Sequence, residues 1–198
     1  MKITALAALV MVAGAVPSAG AWKEPILNDA AETVQICSEN GPGAINYVRS
    51  RAIATQMFAG IGVAIEWHNA PSCPVGAIRI SFSTTTPENL MPGALAYALP
   101  YEGTHIVIFA DRVQAAMIEP EKVTRLLAHV LAHEMTHILE GASRHSAEGV
   151  LKAHWTLDDF SQMCWKPLRF ADEDVALIHR GLERRAALRN AGQPAAGE

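Results

Sequence analysis

A chain of 198 residues, half of them hydrophobic, is long enough to bury one ordinary core and does not require a second domain. Its 16 Lys and Arg against 20 Asp and Glu leave a net charge of −4, with no basic stripe to neutralise a phosphate backbone, so nucleic acid is not an expected partner. The densest basic run, Arg180 to Arg189, is interleaved with Leu182, Ala186 and Leu188, the pattern of a helix with a wet face.

Lys2 precedes an almost continuous apolar stretch from Ile3 to Val16, followed by Pro17-Ser18 and the small residues Ala19-Gly20-Ala21. This reads as an export signal cleaved after Ala21, with a retained N-terminal anchor as the alternative. The stretch falls short of the roughly 20 residues of a transmembrane helix, and no later segment is apolar enough to span a bilayer. The expectation is a signal peptide over residues 1–21, a periplasmic or secreted protein without membrane contact after cleavage, one domain over 22–190, and a frayed tail over 191–198. Cys37, Cys73 and Cys164 all follow the signal. An oxidising compartment then predicts one disulfide and one spare thiol, with Cys37–Cys73 the favoured pair because each sits beside an element boundary.

Past a Ser, Asn, Gly and Pro-rich loop from Ser38 to Gly43, residues Ala44 to Ala59 carry Ile45, Val48, Ile53, Met57 and Phe58 at helical spacing, ending at Gly60 or Gly62. Val63 to Trp67 reads as a strand, Pro71 to Pro74 as a turn, and Ala77 to Phe82 alternates like a half-buried strand. Thr84 to Gly93, with Pro87 and Pro92, is loop-like. Ala94 to Leu99 is a short edge-strand candidate, and His105 to Ala110 a strong strand. Pro120 opens a long helix, a position where proline is well tolerated. That helix runs to Glu140 with Gly141 as its C-terminal cap. After an irregular segment, a last helix spans Glu173 to Leu188 with Asp172 as N-cap. The order predicts an α+β domain with its sheet packed against the long helices.

The chemistry is concentrated in His133-Glu134-Met135-Thr136-His137. Residues four apart on a helix share a face, so the two imidazoles can hold one Zn²⁺, while Glu134 beside them can take a proton from an attacking water. A catalytic zinc takes three protein ligands and keeps one position open. A glycine that turns the chain at 141 lets a following histidine fold back, which makes His145 the expected third ligand. Glu140, Glu148 and Glu173 are its competitors. His129, one turn before His133, is read as a packed or supporting residue. His105, His154, His68 and His179 are read as structural or solvated, and Trp155 as apolar bulk beneath the site.

From His133 to Trp155 the chain resembles the metzincin clan of zinc endopeptidases, in which such a helix is broken by a glycine, followed by a third histidine and by a tight methionine-containing turn beneath the metal. It is more similar still to zinc peptidases of soil bacteria that carry the words read here as His145-Ser146-Ala147-Glu148-Gly149-Val150-Leu151-Lys152-Ala153. Gly141 and His145 lie further along than in the standard motif, so the connecting loop differs. Leu151 stands where the methionine would be, and leucine fills a similar apolar volume. The resemblance implies a zincin-like fold in which a twisted mixed sheet packs on an N-terminal helix and the His133–His137 helix, with a C-terminal helix. It also implies Zn²⁺ as cofactor, Glu134 as general base, and a peptide or protein substrate aligned along the edge strand at Leu95 to Leu99. Two other functions compete: a catalytically inactive zinc-binding or interaction domain, and a zinc hydrolase of a non-peptide amide.

Overall fold

The computed structural model describes residues 33–38, 47–86 and 93–192. The expected signal segment 1–21, positions 44–46 of the first expected helix, Pro87, Pro92 and residues 193–198 of the expected tail lie outside the described residues.

Val34–Ser38 (β1) is a strand not expected from the sequence. It pairs in parallel with Ile65–Asn69 (β2) on one side and Ile78–Ser83 (β3) on the other. Parallel neighbours need a crossover, and Tyr47–Ala59 (α1) supplies the one between β1 and β2. His105–Phe109 (β5) continues the parallel sheet, and the three-residue strand Ala96–Ala98 (β4) closes it in antiparallel register, giving the order β2-β1-β3-β5-β4. β2 sits two residues later than expected. β5 stops at Phe109 because Ala110 already opens a short helix, Ala110–Ala115 (α2).

The long helix Pro120–Glu140 (α3) has the expected limits: Pro120 at its first turn, and Gly141 in the left-handed region (φ 69°) donating its N–H to the His137 carbonyl at 3.0 Å. α1 lies alongside it, held by the Arg49–Glu121 ion pair at 2.8 Å and by Ser50 Oγ donating to the Thr124 carbonyl at 2.8 Å. The core runs from Phe58 through Ile36, Ile78 and Ile106 of the sheet to Leu131 and Met135 of α3. Leu157–Met163 (α4) is a further helix not expected from the sequence, started by Thr156 and Asp159 capping each other reciprocally.

The C-terminal helix Asp172–Gly192 (α5) packs on α3 and continues four residues past its expected end, so Ala191 and Gly192 of the expected frayed tail are helical. Its N-terminal cap also differs. Asp174, not Asp172, accepts the Ala171 N–H, at 3.3 Å. The two helices touch at Gly181, where an added Cβ would lie 1.7 Å from the Leu139 carbonyl oxygen. Gly181→Ala must therefore push α5 away from the end of α3. The expected cost is about 1–3 kcal/mol, read as a lower urea midpoint. A midpoint matching the wild type would mean that this helix pair is loosely docked.

Candidate metal centre

His133 and His137 stand on the last two turns of α3, and each is fixed by a backbone carbonyl. His133 Nδ1 donates to the Val150 carbonyl at 2.9 Å and His137 Nδ1 to the Ala142 carbonyl at 3.0 Å. A carbonyl oxygen only accepts, so both Nδ1 atoms carry the proton and both Nε2 atoms present a lone pair. These Nε2 atoms lie 3.1 Å apart. His145 comes back from the loop after Gly141 to join them, with one ring nitrogen from each of the three residues within 4.8 Å of the others.

The Val150 carbonyl belongs to a tight turn that passes under His133 and holds Leu151, which is fully buried. Gly149 makes the turn possible, with φ 76° and with an added Cβ only 2.3 Å from the Arg169 carbonyl oxygen. Trp155 Nε1 donates to the same Val150 carbonyl at 3.2 Å and its ring stands edge-on to His133 at 5.6 Å. The residue expected as bulk beneath the turn therefore also braces the carbonyl that orients His133.

These donors fit a cation. Burial, then the neighbouring His137, holds the His133 imidazole down to about 3, and burial holds His137 down to about 4. Both rings are then neutral at pH 7, and two lone pairs facing each other at 3.1 Å have no hydrogen to share. A cation accepted by both resolves the conflict, and imidazole nitrogen suits zinc. Glu134 points the same way. It is 8% exposed, and burial alone raises its carboxyl to about 8. A nearby positive charge would favour the ionised carboxylate at neutral pH.

The competing carboxylates are elsewhere. Glu140 is buried beside Arg144 (3.8 Å), Glu173 pairs with Arg144 at 2.9 Å, and Glu148 is exposed; none belongs to the histidine cluster. His129, as expected, supports rather than joins. It is fully buried, its Nδ1 donates to the Arg125 carbonyl at 2.7 Å, and its Nε2 accepts the Leu168 N–H at 3.0 Å. His179 bonds the Ile61 carbonyl at 2.9 Å, His68 bonds Gln35, and His105 is exposed at the start of β5. His154 is exposed and lines the rim of the site.

The three histidines and Glu134 open into a cleft of about 560 Å³. One wall is Leu95 with the edge strand β4, and another is Val130, Trp155 and Phe160. Phe160 comes from α4, which the sequence did not announce as an element, although the Thr156-x-x-Asp159 capping pattern was there to read.

The fold is similar to that in the crystal structure of archaemetzincin from Methanopyrus kandleri, with a TM-score of 0.56 and 14% identity over 80% of this chain and 100% of that one. No family model and no curated protein sequence matches the chain. The protein thus has an α+β zincin-like fold, as the sequence led one to expect. The comparison supports the fold that the resemblance implies and not its narrower likeness to peptidases of soil bacteria.

Burial depresses His129 from 6.5 to about 4. A depressed histidine leaves stability intact above its unfolded pKa and removes it as pH falls through the folded one. Between pH 6.5 and 4 the metal-free protein should lose about 3 kcal/mol through this residue alone. Urea denaturation of wild type and His129→Gln from pH 7 to pH 4 should give a shallower decline in the variant. Parallel declines would mean that His129 is not a buried neutral ring.

Proposed function

We propose that this protein is a zinc-dependent peptidase in which the imidazoles of His133, His137 and His145 hold the metal and Glu134 is the general base. The observation that carries the reading is the pair of neutral, carbonyl-fixed imidazoles whose Nε2 lone pairs face each other 3.1 Å apart, with His145 and the buried Glu134 at the same spot. Held by these three imidazoles, zinc would supply Lewis acidity, acidifying the attacking water and polarising the substrate carbonyl.

The protein's own groups divide the remaining work. The Glu134 carboxylate accepts the proton of the attacking water and returns it to the departing amine nitrogen. The Val150 and Ala142 carbonyls keep the Nδ1 protons in place, so that both Nε2 lone pairs stay directed at the metal position. β4 ends the sheet beside the cleft, and an extended peptide can pair with its outer edge. The wall of Val130, Trp155 and Phe160 suits an apolar side chain next to the cleaved bond. The Cys37–Cys73 disulfide supports an oxidising compartment, in keeping with export through residues 1–21 and a mature domain over 22–190.

Glu134→Gln should bind about one zinc per chain, as the wild type does, yet cleave peptide about 10²–10⁴-fold more slowly. His145→Ala should lose zinc affinity. Wild-type protein that holds zinc but cleaves neither casein nor a peptide library would make it a non-catalytic zinc domain. Cleavage restricted to small amides would make it an amidase.

A further inference from the structure

His133 and His137 are set by a helix, whereas His145 comes from a loop, and something must fix where that loop delivers it. The residues on either side of His145 bond the same oxygen atom. Arg144 Nη1 donates to Asp174 Oδ1 at 2.9 Å, and Ser146 Oγ donates to Asp174 Oδ1 in a short hydrogen bond. The other oxygen, Asp174 Oδ2, accepts the Ala171 N–H at 3.3 Å, so both oxygens of the carboxylate are engaged. Asp174 is fully buried at the start of α5, nearly 30 residues further along the chain. Arg144 also donates to Ser146 Oγ at 3.1 Å and pairs with Glu173 at 2.9 Å.

The backbone is tied from the opposite direction. Ser146 N–H donates to the Leu151 carbonyl at 2.9 Å, and Ser146 and Lys152 form a parallel bridge. The loop is thus held at Ser146 by the turn beneath His133, and at both neighbours of His145 by α5. His145 itself projects from between the clamped positions.

A buried carboxylate is costly unless its charge and lone pairs are met, and the first turn of a helix is a favourable place for it. Capping α5 requires only the bond to Ala171. The two bonds to Arg144 and Ser146 go beyond that need and fall on either side of His145. Ordering a loop costs conformational entropy, and a clamp that meets this cost before metal arrives leaves more of the binding energy as affinity.

Building on the zinc reading above, we infer that Asp174 is a positioning residue for His145: docking of α5 presets the third metal ligand through the Arg144–Asp174–Ser146 clamp.

The test is a double-mutant cycle on the full chain stripped of metal and titrated calorimetrically with Zn²⁺. Asp174→Asn should weaken zinc binding about 10–100-fold. Arg144→Met and Ser146→Ala should weaken it by smaller factors. None of the three should weaken it further in a His145→Ala background, because the residue they position is already gone. Should Asp174→Asn fail to fold, the Arg144 and Ser146 variants complete the same cycle. Wild-type affinity in the folded variants, or the same loss with and without His145, overturns the inference. A second readout needs no metal. Amide hydrogen exchange at Ser146 should be slow in the metal-free wild type and fast in Asp174→Asn, and unchanged protection also overturns the clamp. Wild-type protein that never binds zinc would remove the peptidase reading while leaving this exchange experiment to decide the clamp on its own.

Discussion

Everything at the site depends on α3 being enclosed. Of its 21 residues, 16 are buried, against α1 on one side, the sheet below and α5 at its end. A helix packed all round cannot rotate, so the direction in which His133 and His137 face is fixed by the same contacts that make the core. Three polar residues on this buried surface are satisfied within the helix itself. Thr124, His129 and Thr136 each donate to the carbonyl four residues back on their own helix, at 2.9, 2.7 and 2.7 Å. The neighbouring surfaces then meet α3 with few polar groups of their own, Ser50 Oγ and the Leu168 N–H among them.

Around that helix, the candidate metal ligands on α3 are oriented largely by backbone. The His137 ring is oriented by a carbonyl just past the helix cap, and the His133 ring by a carbonyl in the turn at Gly149 to Leu151. Because the bonds come from main chain, Leu151 need only fill volume. Its full burial shows that it does so, at the position where the resemblance places a methionine. Trp155 adds a side-chain brace to the turn from below. The low exposure of the pair and of Glu134 strengthens every electrostatic interaction among them, the mutual conflict of lone pairs included.

Much of this was legible in the sequence. Pro120 and Gly141 marked the ends of α3, period-two alternation marked β3, and the His133-x-x-x-His137 spacing with His145 beyond a glycine marked the residues that converge. What escaped was short or non-local. β1 is five residues long and buried on both faces, so it shows no alternation. α2 starts directly where β5 ends, with no turn residue between them. β2 was displaced by two residues because Val63, apolar enough to read as strand, is buried in the turn before it. The Asp174 clamp joins residues nearly 30 positions apart, and nothing local in either segment announces the other.

The Cys37–Cys73 bridge, with its Cα atoms 5.5 Å apart, closes a stretch with a sequence separation of 36 that contains α1 and β2. On a chain-entropy account such a closure removes about 4 kcal/mol worth of freedom from the unfolded ensemble. That restriction falls wholly on the part of the chain preceding the site. The elements from β5 to α5, which carry all three histidines and Glu134, lie outside the covalent loop and are recruited to it by packing. The unfolded protein thus carries a closed ring between Cys37 and Cys73 followed by a long free arm, and the histidine cluster is assembled entirely from that arm.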